Sequence, residues 1–88
     1  MARQIVDIAV LVRAEWDPEA EVWVATSEDV PGLVAEHADF RRLREMVLEL
    51  VPVLLEENGL LPDDHGAFNV PVHIAAQAIS KGHARIAA

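Results

Sequence analysis

The stretch AEWDPEAEVWVATSEDVPGL, residues 14–33, gathers the carboxylates Glu15, Asp17, Glu19, Glu21, Glu28 and Asp29 around the hydroxyl of Ser27. Two carboxyl groups can divide general acid and general base duties when a cleft holds them within several ångströms and drives their pKa values apart. These six fall instead at a hairpin tip, at strand ends and on a polar face, where water keeps them ionised. Ser27 has no flanking glycines to form a nucleophile elbow and no identifiable base. The stretch is therefore expected to be a scaffold with a charged surface, without catalytic residues.

Other chemistry-bearing residues are scattered. His37, His65, His73 and His83 form no paired motif on a helix, and their settings are a strand end, a loop, a strand and the tail. Asp63, Asp64 and His65 have the right types for a divalent cation, but three adjacent loop residues seldom converge on one ion, so an ordinary acidic turn is expected there. No metal or cofactor site is expected elsewhere either. Trp16 and Trp23 could stack on a base, but no basic groove surrounds them, so they read as packing or contact residues. Arg41, Arg42 and Arg44 are the one basic cluster. Two of them sit in the first turn of a helix, where positive charge opposes the dipole.

The elements that must position these groups follow from periodicity. From Ile8 to Trp16 the even positions Ile8, Val10, Val12, Ala14 and Trp16 are apolar, whereas Asp7, Arg13 and Glu15 are odd. This is a strand with one buried face. Glu21 to Ser27 is a second strand, with Val22, Val24 and Thr26 on one side and Trp23 and Ala25 on the other. Asp17 and Pro18 open the hairpin loop between them. Pro31 and Gly32 suit a type II turn leading into a short third strand, Leu33 to about Glu36.

The period then changes. Phe40, Leu43, Met46, Val47, Leu50, Val51, Leu54 and Leu55 form the apolar stripe of one long helix, with Asp39 as N-cap and Asn58-Gly59 as the stop. Pro52 cannot donate to the Leu48 carbonyl, which predicts a kink or a break. Phe68 to Ile79 alternates again, with Val70, Val72, Ile74 and Ala76 on one face, as a fourth strand. The order β-β-β-α-β predicts an α+β fold, a two-layer α/β sandwich in which an antiparallel meander carries one long helix. The outer sheet face would carry Ala9, Leu11, Trp23 and Ala25, which is apolar enough to predict that this face or an edge strand meets another subunit.

Composition sets the limits. At 88 residues the chain fits a single domain, expected over residues 1–79, with a flexible C-terminal tail over residues 80–88. Without cysteine there is no disulfide, thiolate metal site or thiol catalysis. The N-terminal apolar run is interrupted by Asp7 and lacks a small-residue cleavage site, so a cytoplasmic location is expected and no membrane association. The net charge of -8 is uneven, with eight acids against two bases in residues 1–38. Such a field repels phosphate backbones and favours a basic protein partner.

The hairpin with Trp16, Asp17, Val22 and Trp23, and the turn Asp29-Val30-Pro31-Gly32-Leu33, resemble the HicB-like antitoxin family, in particular its short branch of stand-alone domains of uncharacterised function. The resemblance covers roughly residues 8–76. It implies a partial RNase H-like β-β-β-α-β domain that assembles as a dimer or tetramer and masks a small basic RNA-cleaving toxin. Many members add a DNA-binding domain, whereas only nine residues follow Ile79 here, so direct nucleic-acid binding is not expected. Arg41 and Arg42 also depart from the family, which commonly has polar or acidic residues at these positions. The clustered carboxylates of a metal-dependent nuclease cannot be assembled from these strands.

The expected function is thus a non-catalytic protein-binding module of antitoxin type, with Glu19, Glu21, Trp23, Glu28 and Asp29 as partner-binding residues. Asp17, Pro18, Pro31 and Gly32 are its structural turns. The alternative is a stand-alone homo-oligomeric domain with another role, such as binding a small ligand at a subunit interface.

Overall fold

A computed structural model describes residues 9–87. Asp7, the expected strand start at Ile8, and Ala88 lie outside the described residues. The elements are β1 (Val10–Asp17), β2 (Val22–Thr26), β3 (Val34–His37), α1 (Phe40–Glu57) and β4 (Val72–Gln77). They form one sheet in the order β3-β2-β1-β4 with α1 on one face. The β1–β2 and β2–β3 pairs are antiparallel, and β4 returns parallel to β1. A parallel return needs a long crossover, which α1 supplies. The expected α+β architecture and its element order are those of the structure.

One ridge of α1 makes its half of the core. Leu43, Val47, Val51 and Leu55, four residues apart, are all buried. They meet Val10, Val12 and Ala14 of β1, Ala25 of β2 and Ala35 of β3, with Val30 and Leu33 closing the end of the layer. Small residues on the inner face of the sheet let the larger helix side chains settle close to it.

Both ends of α1 are capped as the sequence predicts. The Asp39 carboxylate accepts from the Arg41 N–H at 2.8 Å, while the Asp39 N–H donates to His37 Nδ1 at 2.8 Å. At the other end Gly59 has φ +65°. The Gly59 N–H donates to the Glu56 carbonyl and the Leu60 N–H to the Leu55 carbonyl, the paired bonds of a Schellman motif. The Asn58 side chain donates to the carbonyls of Leu54 at 2.7 Å and Pro31 at 3.1 Å, tying the helix end to the Pro31-Gly32 turn. That turn is type II, closed by the Leu33 N–H on the Val30 carbonyl, with Gly32 at φ +87°.

Three expectations need correction. Of the kink or break expected at Pro52, the break does not occur, and α1 runs unbroken from Phe40 to Glu57. Pro52, Leu48 and Val53 are exposed, so the carbonyl left without its helical donor is on the solvent side. The fourth strand is shorter than Phe68 to Ile79, because pairing begins where β1 supplies a partner, Val10 opposite Val72, and ends at Glu15 opposite Gln77. The third correction concerns β2. Trp23 stands opposite Trp16, and Ala25 opposite Ala14, so both face the helix. The outer face instead carries Leu11 from β1 with Val22, Val24 and Thr26 from β2. Side chains alternate strictly along a strand, so the pairing register decides the face for the whole strand.

Candidate functional site

Among the described residues, no helix lies over the outer sheet face. Across it Gln77, Glu15, Val24 and Glu36 fall in one row, because Glu15 pairs with both Gln77 and Val24, and Val24 pairs with Glu36. Glu15 and Glu36 are exposed and flank Val24 at two strand spacings, about 9.5 Å apart along the sheet. The next row places Arg13, Thr26 and Val34 together. Leu11 and Val34 leave 48% and 62% of their surface exposed, so this face exposes apolar area beside its carboxylates, with Arg13 between Leu11 and Glu15. Exposed apolar side chains set among charged ones are the make-up of a protein-docking surface.

The hairpin tip joins the ends of β1 and β2. Asp17 Oδ1 accepts from the N–H groups of Glu19 at 3.0 Å and Ala20 at 3.2 Å, an Asx-type turn that leaves Glu19 and Glu21 exposed. Glu21 sits at φ +56°, a left-handed conformation unusual for a residue with a side chain. Asp17 thus organises the turn over residues 18–21, and Glu19 and Glu21 project from that turn into solvent.

Asp29 does something different. The β1–β2 register would place Glu28 opposite Leu11, but β2 ends at Thr26 and the chain bends away. The Asp29 carboxylate accepts from the Leu11 N–H at 2.8 Å, and Ser27 Oγ donates to the Leu11 carbonyl at 2.7 Å. The Asp29 N–H in turn donates to Ser27 Oγ at 3.1 Å. Two side chains thus replace the missing ladder partner of a central strand. Glu28 is exposed between them.

Trp23 is on the opposite face from these carboxylates. Its ring packs edge-on against Trp16 at 5.5 Å and Phe40 at 5.1 Å, forming an aromatic row under the start of α1. Of the five residues expected to bind a partner, Glu19 and Glu21 are exposed on the β1–β2 hairpin tip, and Glu28 lies on the loop after β2. Asp29 is a structural brace and Trp23 a packing residue. Glu36 was not singled out in the sequence because its face depends on pairing across three strands. Arg41, Arg42 and Arg44 are exposed, and Arg42 lies 3.9 Å from Glu45.

A second feature lies at the far end of α1. An open, mainly apolar cleft of about 370 Å³ runs between the helix and the segment before β4, lined by Leu48, Val51, Leu55, Leu61, Phe68 and Val70. His65 stands at its edge, stacked edge-on to Phe68 at 5.5 Å. Its Nδ1 is 3.1 Å from the Gly66 carbonyl and its Nε2 3.3 Å from a Glu56 carboxylate oxygen. Only the imidazolium donates from both nitrogens, so the Gly66 carbonyl first and Glu56 second raise the His65 pKa above 6.5. Through Glu56 the ring is tied to α1. Among the described residues no three His, Asp or Glu side chains cluster in a way that could hold a metal ion. His73 is exposed on β4 and His83 in the tail. Residues 78–87 carry no regular secondary structure and are exposed throughout. Among the described residues no helix is long and apolar enough to cross a membrane.

Among solved structures the chain is similar to the crystal structure of the hypothetical protein TTHA1013 from the extremely thermophilic bacterium Thermus thermophilus. The two are 41% identical with a TM-score of 0.61, over 85% of this chain and 97% of that one. No curated protein matches the chain. Residues 9–83 match the family described as a domain of unknown function, DUF1902. With that match spanning most of its length, the chain belongs to the DUF1902 family.

Proposed function

We propose that this chain is a non-catalytic protein-binding module that docks a small basic partner on its outer sheet face. The observation carrying the reading is the outer-face row Glu15, Val24 and Glu36, with the exposed Val34 in the next row, Leu11 further along β1, and Glu19 and Glu21 on the adjoining hairpin tip. Carboxylates steer a cationic partner to the face, and the exposed apolar side chains then supply the area that lowers the dissociation rate. In the finer form of the reading, the module is an antitoxin of HicB type and the partner is a small basic RNA-cleaving toxin. This form draws on the resemblance of the hairpin and the Pro31-Gly32 turn to that family.

The test begins with the neighbouring reading frame. A small basic protein encoded there, co-expressed with this chain, should co-purify with it, and its RNA cleavage should fall in the complex. Association should slow as salt rises, and slow further when Glu15 and Glu36, or Glu19 and Glu21, are changed to Lys. Rates that ignore both salt and charge reversal would refute the electrostatic docking. RNA cleavage left unmasked in the complex would refute the antitoxin role.

The cleft beside His65 favours a second reading, a homo-oligomeric domain that binds a small apolar ligand near a subunit boundary. Its volume falls within the range of small-molecule pockets. An anilinonaphthalene sulfonate probe should bind the wild type and lose its signal in Leu48→Gln. Absence of probe binding to the wild type would eliminate this reading.

A further inference from the structure

We infer that the free edge of β4 is a self-docking surface, on which a second copy of this chain adds its own β4 antiparallel about a two-fold axis at Ile74. The direction of the backbone groups comes first. Val10 stands opposite Val72, and the Val10 N–H donates to the Pro71 carbonyl at 3.0 Å. In a parallel ladder with that phase, the odd-numbered residues of β4 turn their N–H and C=O groups to β1. Val72, Ile74 and Ala76 therefore present theirs to the open edge.

An antiparallel copy must pair these same residues with each other. The register with Ile74 opposite Ile74 of the second copy also sets Val72 against Ala76 and Ala76 against Val72, so every outward-facing residue of β4 is used. Shifting the axis to Ala75 leaves Val72 opposite Ala78, beyond the strand. In the first register the side chains of Val72, Ile74 and Ala76 from both copies share the helix side of the joined sheet. Val72 and Ile74 are only half-buried in one copy, and Ala76 is exposed.

Charge selects this edge and this occupant. The chain carries a net charge of -8, yet no Asp, Glu, Lys or Arg occurs between Asp64 and Lys81. Two acidic copies can approach along β4 without opposing charges, whereas β3 carries Glu36 at the other edge of the sheet. A cationic partner has no handle on the uncharged edge. The antiparallel direction also sends the residues after Gln77 alongside those preceding Val72 in the second copy. It thus carries Lys81 and Arg85, in a tail without acids, toward Asp63 and Asp64. Long uncharged strand edges are the ones that proteins must cover or blunt, and self-pairing covers this one.

The experiment is a molar-mass measurement by sedimentation or light scattering on the full chain, combined with cysteine cross-linking. The wild type should have twice the 9.7 kDa chain mass at micromolar concentration. Ala76→Pro removes only an edge-facing N–H and should weaken self-association by about tenfold or more while far-UV circular dichroism is retained. Ala76→Glu, which leaves the β1–β4 ladder intact and sets a charge on the edge, should do the same. The chain has no native cysteine, so Ile74→Cys should form a disulfide-linked dimer on oxidation, and Val34→Cys, on the outer face of β3, should not. A wild type with the mass of one chain would overturn the inference. So would a dimer that survives both Ala76 variants and cross-links through Val34→Cys rather than Ile74→Cys. None of these readouts depends on a basic partner, so this inference and the proposed function can fail separately.

Discussion

Removing the Asp29 carboxylate should destabilise the fold more than its exposed position suggests. The carboxylate accepts from the Leu11 N–H at 2.8 Å, and Leu11 belongs to a central strand whose β2 partner has ended. A hydrogen bond involving a charged group contributes about 1.5–3 kcal/mol, and water can partly replace this one, so Asp29→Ala should cost about 1.5 kcal/mol. For a domain of this size that is a fall of roughly 6–12 °C in Tm. Ser27→Ala loses the bonds at 2.7 Å and 3.1 Å and should cost about 1–2 kcal/mol. The two residues also bond to each other, so the double variant should lose less than the sum, by about 0.5 kcal/mol or more. Glu28→Ala, between them, should stay within about 0.5 kcal/mol of wild type. Urea unfolding measures all four, and amide exchange at Leu11 should speed up in Asp29→Ala. If Asp29→Ala matches Glu28→Ala in both assays, the bracing argument is wrong and Asp29 returns to the docking surface.

Further outcomes follow from single residues. Glu21→Asn should raise stability by about 0.5–1 kcal/mol in urea unfolding, because Asn adopts the left-handed conformation at φ +56° at less cost. Pro52→Ala restores a donor for the Leu48 carbonyl within α1 and should stabilise by about 1–2 kcal/mol, read from the same assay; a loss would mean that the helix depends on the proline's shape. His65 has a raised pKa, so the stabilisation from its bonds to Gly66 and Glu56 is complete below about 6.5 and is lost as pH rises through the raised value. The Tm difference between wild type and His65→Asn should accordingly shrink from pH 6 toward pH 8.5, and an unchanging difference would contradict the clamp.

Much of the local structure was legible in the residues themselves. Asp39 caps α1, Gly59 ends it, Pro31-Gly32 forms the type II turn and Asp17 organises the hairpin, each through contacts within a few positions of its own place in the chain. The helix stripe was equally plain, since Leu43, Val47, Val51 and Leu55 repeat at the helical period. The candidate site was less legible. VWVAT is apolar at both parities, so β2 alone could not tell which side of Trp23 meets the helix. Asp29 looked like one more surface acid because its partner, Leu11, lies 18 positions away. Glu36 joined the acidic face only once Val24 had been placed between it and Glu15.

By itself, then, the sequence determined the elements, their order, their caps and turns, and the acidic balance of the chain. These depend on backbone preferences and periodicities that act over a few residues. Tertiary structure decided which carboxylates share a surface, which one braces a strand, and which strand edge remains open. Those outcomes depend on pairing register, and a register shift of one residue moves every side chain of a strand to the other face.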